Sequence, residues 1–418
     1  MKRILMIAYH FPPLAGSSGI QRTLRFVQHL PQFGWEPLVL TTHPRAYERT
    51  SPDLLADVPT STIVKRAFAL DTARHLSFAS RYPGFLARPD RWMTWQFDGI
   101  RQGMKLIDQY QPDIIWSTYP IATAHVIAAE LQRRSGLPWV ADFRDPMAQE
   151  GYPADPQTWQ CFKRIEEQVM EQASLALFTT PGAARVYRER YPNAKARIEV
   201  LENGYDEETF AKAEAELGER TPLNPGFLTL LHSGIVYPSE RDPSALFQAL
   251  GKLKKEKHPA AAKLKLRFRA SVHESILLEL AKIHGISDAV EILPAIPYRE
   301  ALAEMLRADG LLILQAANCN DQIPAKLYEY LRANRPILAM TQKYGDTGTT
   351  LAKAGIGSIS SLDDPIEISH LLANFINDSS CNTLPTGDFT FNTSRQRRSS
   401  QLANLLNTLP VTQQKQLN

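Results

Sequence analysis

Short apolar runs alternate with stretches of helical period along almost the whole chain. In the first half, the runs at residues 4–8, 38–41, 114–117, 139–141, 175–178 and 198–201 are too brief for helices and are bounded by turn-forming residues, so they predict strands. Between them, Ile20, Leu24, Val27 and Leu30 make one stripe at helical spacing, and Ile121, Ala124, Ala128 and Leu131 make another. Strands that alternate with helices pair in parallel and are covered on both faces, so the fold class is α/β. Residues 45–95 are less regular, with prolines, arginines and several aromatics including Trp92 and Trp95.

The run Thr221-Pro-Leu-Asn-Pro-Gly226 interrupts the pattern with two prolines and a glycine, which predicts a linker at 221–226. A second α/β series follows, with strands predicted at 228–231, 264–268, 290–293, 311–314, 336–339 and 356–359. The two series share no sequence repeat. The expected organisation is therefore a first domain at 1–220, a second at 227–377 and a tail at 378–418 that carries a helix near 394–406 and frays after 412. A length of 418 residues exceeds the usual size of one core and suits two domains of ~200 residues each.

Composition narrows the function classes. Hydrophobic residues at 44% and charged residues at 22% are ordinary for a globular protein. A net charge of +3, with no block of five or more like charges, gives no sign of a nucleic-acid partner. The three cysteines, Cys161, Cys319 and Cys381, include no C-x-x-C pair, so neither a disulfide framework nor a zinc site is indicated and a reducing compartment fits best. Lys2-Arg3 precede an apolar run too short for a signal peptide, and no stretch approaches the ~18 apolar residues of a membrane span.

The chemistry concentrates in Asp321-Gln-Ile-Pro-Ala-Lys-Leu-Tyr-Glu329, which lies between the predicted strands at 311–314 and 336–339. Pro324 suits the first turn of a helix, where its missing N–H costs nothing. Lys326 falls in that turn and Glu329 lies three residues on, near the positive end of the helix dipole, where phosphate binds well. A carboxylate one turn in can grip the paired hydroxyls of a ribose, and Asp321 in the loop can reach a sugar hydroxyl. The plainer alternative is a solvated ion pair between Lys326 and Glu329.

This segment resembles the acidic-x7-Glu element of GT-B glycosyltransferases, specifically retaining enzymes of family 4, with Asp321 where the family usually carries glutamate. The resemblance implies two Rossmann-like domains whose parallel sheets face an interdomain cleft, with donor on the second domain and acceptor on the first. It also implies that Glu329 holds the nucleotide ribose, that Asp321 contacts the transferred sugar, and that the tail helix crosses back to the first domain.

Other elements fit the same pattern. His232-Ser-Gly234 ends the first strand of the second series, and Arg241 follows Gly234 by seven residues, where its planar fork can clamp a diphosphate. Arg241 and Lys326, with Asp321, are the expected catalytic set; Gly234, Arg241, Lys326, Glu329 and Asp321 are the expected donor site. No metal ligand cluster is expected, because the two cations would stabilise the leaving group. The first turn carries Gly16, Ser17, Ser18 and Gly19, with a capping box at Ser18-Gly-Ile-Gln21, and can admit a phosphate or a sugar or be merely a tight turn. Asp142, Arg144 and Asp145 follow the strand at 139–141, where many family 4 enzymes place a histidine that this chain lacks. They can orient an acceptor hydroxyl or brace the turn as an ion pair. Residues 45–95 are either an insertion that shapes an acceptor cleft or a surface excursion. Glu202-Asn-Gly-Tyr-Asp206 resembles a structural turn of the family, and His125 is expected to be packed.

The expectation is thus a metal-independent glycosyltransferase, cytoplasmic or peripheral at the membrane inner face, that moves a sugar from a nucleoside-diphosphate sugar to a glycan or lipid-linked acceptor in polysaccharide or glycoconjugate biosynthesis. The donor is a substrate and no separate cofactor is implied. Two rivals share the fold: a nucleotide-sugar epimerase and a non-catalytic sugar-nucleotide-binding protein.

Overall fold

The computed structural model describes residues 1–410 except Ser18, Ser80 and 378–382. The capping box at Ser18, Cys381 and the expected fraying after 412 fall outside the described residues. Two compact units emerge, Met1–Glu202 with Arg395–Asn418, and Asn203–Ser394.

The first unit is built on parallel strands β1 (Lys2–Ile7), β2 (Trp35–Thr42), β3 (Ile63–Ala67), β4 (Ile114–Thr118), β5 (Trp139–Arg144), β6 (Leu175–Phe178) and β7 (Arg197–Val200), in the order β3-β2-β1-β4-β5-β6-β7. Chain direction from β1 runs first one way and then the other, so β1 and β4 flank a switch point, where open sheets of this kind hold their ligands. Along each strand alternate residues enter opposite layers. Leu5, Ile7, Leu38 and Ile115 pack on one face, and Ile4, Met6, Val39 and Trp116 on the other. The predicted strands are all present, and β3 is an addition. It sits at the sheet edge, where Lys65 and Arg66 hide the apolar signal and discourage edge-to-edge pairing. Residues 45–95 are therefore not one excursion. The helix Arg395–Asn407 lays Leu402, Ala403 and Leu406 against Leu24, Val27 and Leu30.

The second unit holds β8 (Leu228–Ser233), β9 (Leu264–Arg269), β10 (Val290–Leu293), β11 (Gly310–Leu314), β12 (Ile337–Met340) and β13 (Ile359–Ser360), in the order β10-β9-β8-β11-β12-β13. Its switch point lies between β8 and β11. The division between units comes at Glu202–Asn203 and not at the expected linker 221–226. The cause is the helix Glu207–Leu217, whose Phe210 and Ala213 share one core layer with Leu302, Leu306 and Leu311. Among the described residues, no helix is long and apolar enough to cross a membrane.

Candidate functional site

At the second unit's switch point, the loop after β8 and the turn into the helix Lys326–Ala333 bring several predicted residues together. Gly234 has φ +116°, and a Cβ there would lie 3.0 Å from Lys326 Nζ. Only glycine lets the lysine lie so close to the backbone. Lys326 is half-buried, and its ammonium approaches His232 Nε2 at 3.0 Å. Burial, followed by the Arg241 guanidinium, pushes its pKa down to about 7, against the opposing pull of Glu329. Burial, and then the Lys326 charge, hold the His232 ring well below its usual range.

Arg241 donates from Nη1 to the Ile235 carbonyl at 2.8 Å and stacks its guanidinium 5.1 Å from the Tyr237 ring centre, so the fork is fixed on its own loop. Glu329 accepts a hydrogen bond from the Tyr298 hydroxyl at 2.7 Å, and both Glu329 and Lys326 are half-buried, which rules out the plain solvated pair. Leu327 N donates to the Pro324 carbonyl at 2.9 Å, so the turn opens at Pro324 as expected although the regular helix starts at Lys326. Asp321 stands in the loop just ahead of it. That loop is braced by Gln315, whose amide donates to the Cys319 and Gln322 carbonyls at 2.8 and 3.0 Å, and by Thr347 Oγ1 on the Gln322 carbonyl at 2.9 Å. Tyr330 locks the site from below, its buried hydroxyl accepting from Ser233 N at 2.9 Å.

Sequence reasoning missed Tyr298, Tyr330 and the contact of His232 with Lys326. Each acts through a partner distant in sequence, and no local spacing signals that.

In the first unit, Gly16 has φ +80° and the helix Gly19–His29 opens with Gly19 N donating to Ser17 Oγ at 3.2 Å. A Cβ on Gly19 would lie 2.4 Å from His10 Nδ1 and 2.7 Å from Arg144 Nη1, so both side chains close over a bare backbone. Arg144 reaches this point because the β5–β6 register shifts between Asp142 and Arg144 and Arg144 itself has φ +62°. Its Nη2 donates to the Gly19 carbonyl at 2.7 Å. Burial pushes Arg144 down to about 10, opposed by Asp142, while burial and then Arg144 push His10 down to about 3, so His10 is neutral. His10 went unnoticed in the sequence because it stands as an isolated histidine in the loop after β1.

Asp142 does not face an acceptor. It is fully buried, and its oxygens accept from Arg22 Nε at 2.9 Å, Arg22 Nη2 at 2.8 Å and Thr118 Oγ1 at 2.9 Å. The bracing ion pair is real, but its partner is Arg22, with Arg144 Nε at 4.0 Å. Asp145 is exposed beside this pair. His125 is packed: it is fully buried, pushed down to about 4 by burial, with Nδ1 2.8 Å from Ser117 Oγ. Among the described residues, no group of three or more His, Cys, Asp or Glu gathers as metal ligands would.

Residues 18–204 match the family described as glycosyl transferase 4-like domain. The chain thus has the GT-B fold, with a glycosyl transferase 4-like match over residues 18–204. Solved structures agree with this fold over both units. Sucrose-phosphate synthase from Thermosynechococcus elongatus superposes with a TM-score of 0.68 at 14% identity, covering 97% of this chain and 98% of that one. HepE from Anabaena, solved in complex with UDP, gives 0.67 at 13% identity over 98% and 100% of the two chains. The trehalose-6-phosphate synthase OtsA gives 0.66 at 15% identity over 98% and 100%. No curated protein matches by sequence. At such identities the likeness fixes the GT-B architecture and leaves the chemistry of the two glycine-bearing loops to be argued from their own geometry.

Proposed function

We propose that this protein is a retaining glycosyltransferase that binds a nucleoside-diphosphate sugar on its second unit and moves the sugar to a glycan or lipid-linked acceptor held by its first. The observation that carries the reading is the clustering of Gly234, Lys326 and Arg241 with Glu329 one helical turn beyond Lys326. A bare backbone beside two cations suits a diphosphate, and Glu329, oriented by Tyr298, suits a ribose diol. The family match of the first unit supports sugar transfer. The complexes of Anabaena HepE with UDP and with UDP-glucose make UDP the first nucleotide to test.

In this mechanism the acceptor hydroxyl attacks the face from which the diphosphate leaves. The protein's main contribution is placement and neutralisation of the charge that develops on the leaving phosphate, supplied by Lys326, Arg241 and the helix N-terminus. Asp321 engages the transferred sugar. Two fixed cations make turnover independent of a divalent ion. His10, Gly19 and Arg144 take the acceptor-side place once expected of Asp142. The exposed rings of Phe78, Phe85 and Phe97 in the first unit support a peripheral meeting with a membrane that carries the acceptor, at the cytoplasmic face.

Incubation with individual nucleotide sugars, with and without glycan acceptors, tests the reading. Acceptor-dependent release of nucleoside diphosphate supports a transferase. An isomerised sugar without acceptor would replace it with an epimerase, and binding without turnover with a non-catalytic binder.

A further inference from the structure

His232 has no role in the reading given so far, yet it is the group nearest the Lys326 ammonium. It is 1% exposed and sits on β8 at the switch point. Its Nδ1 lies 3.0 Å from the Leu312 carbonyl, which can only accept, so Nδ1 carries the ring proton. The other nitrogen, Nε2, is then an acceptor, and it faces Lys326 Nζ at 3.0 Å. A backbone carbonyl of β11 therefore sets the tautomer that receives a lysine proton on the next helix.

We propose that His232 is a positioning residue, which holds the Lys326 ammonium by one of its three donors and leaves the others aimed at the donor diphosphate. The inference rests on the donor-site reading above and assigns the residue that makes it work. A lysine has four rotatable bonds and roughly 2 kcal/mol of rotamer entropy, so an unheld ammonium would have to be ordered at each binding event. The acceptor removes that cost in advance. It does so without adding charge, because burial keeps the ring neutral beside a cation. An acidic residue in its place would fix the lysine equally well but would cancel the charge offered to the phosphate. The other charged groups that act on Lys326 are Arg241, which disfavours its protonation, and Glu329, which favours it. With burial opposing the charged form, the His232 acceptor is the close neutral contact that supports it.

The test is titration calorimetry of UDP-glucose, chosen because its diphosphate keeps two negative charges throughout, with the wild-type protein, His232→Leu and His232→Gln between pH 5.5 and 8.5. Leucine removes the acceptor, whereas the glutamine amide oxygen reaches the place of Nε2. His232→Leu should bind about tenfold more weakly near pH 7.5, the usual effect of losing a hydrogen bond to a charged group, and the deficit should shrink as the pH falls and the amine is protonated regardless. His232→Gln should stay within about threefold of wild type. Should the leucine variant fail to fold, His232→Asn, whose shorter amide cannot reach the ammonium, carries the same expectation. Wild-type affinity in the leucine variant, or an equal loss in both variants at every pH, would overturn the inference while leaving the donor site standing. Absence of nucleotide-sugar binding in the wild type would remove the donor-site reading and this inference together.

Discussion

Replacing Arg22 by methionine isolates one buried interaction whose worth can be worked from its contacts. The guanidinium donates twice to Asp142, at 2.9 and 2.8 Å, and also to the Leu201 carbonyl at 2.9 Å and the Glu202 carbonyl at 3.2 Å. The paired side chains are 3% and 0% exposed, so water cannot take over the carboxylate when the arginine is gone. Methionine fills much of the volume but leaves Asp142 buried with Thr118 Oγ1 as a remaining donor. Removing one partner of a buried pair costs about 3–5 kcal/mol, chiefly through the uncompensated charge. For a unit of this size that lowers the transition temperature by roughly 10 °C. All six tryptophans, at 35, 92, 95, 116, 139 and 159, lie in the first unit, so intrinsic fluorescence during denaturant or thermal unfolding of the whole protein follows that unit selectively. The double variant Arg22→Met/Asp142→Leu should recover most of the loss, because the carboxylate stranded without Arg22 is then gone as well. A loss below about 1 kcal/mol in the single variant, or no recovery in the double, would refute the argument that this pair braces the first unit.

Four further outcomes follow from the second unit. UDP-glucose affinity should fall as pH rises through about 7, where Lys326 loses its proton, and Lys326→Met should flatten the profile; a wild-type profile already flat from pH 6 to 9 would contradict the pKa reasoning. Lys326→Ala and Arg241→Ala should each slow turnover by roughly 10²-fold through lost leaving-group stabilisation, with little change in thermal stability, and steady-state kinetics beside melting curves checks this. Glu329→Gln should weaken UDP binding by about 1–3 kcal/mol, whereas Asp321→Asn should impair transfer from the whole donor and leave UDP affinity nearly intact; equal losses of UDP affinity would erase the division of labour. Excess chelator should leave turnover nearly unchanged, and a loss restored by magnesium or manganese would mean that the two cations do not suffice.

Much of the fold could be read along the chain because a parallel sheet covered on both faces needs nearly continuous apolar strands, and runs such as Ile4–Ile7 and Leu311–Leu314 are fully or almost fully buried. β3 escaped notice for the converse reason, since an edge strand tolerates Lys65 and Arg66. The donor-side cluster was legible where glycine, lysine and glutamate stand at fixed spacing on one turn and helix. Tertiary partnerships were not. Asp142 pairs with a residue 120 positions earlier, Tyr298 reaches Glu329 across 31 and Lys326 reaches His232 across 94, separations that carry no periodic or turn signature. The position of the unit boundary was likewise obscured. Two prolines and a glycine at 221–226 make a persuasive break, but Phe210 and Ala213 had already joined the second unit's core.

Everything proposed for the second unit requires that it grip the donor through its diphosphate. A structure determined with UDP bound tests it most directly. The two phosphates should lie against Gly234, Lys326 and Arg241, with the ribose hydroxyls on Glu329. UDP seated on the first unit, or on the second with its phosphates remote from Lys326 and Arg241, would contradict it.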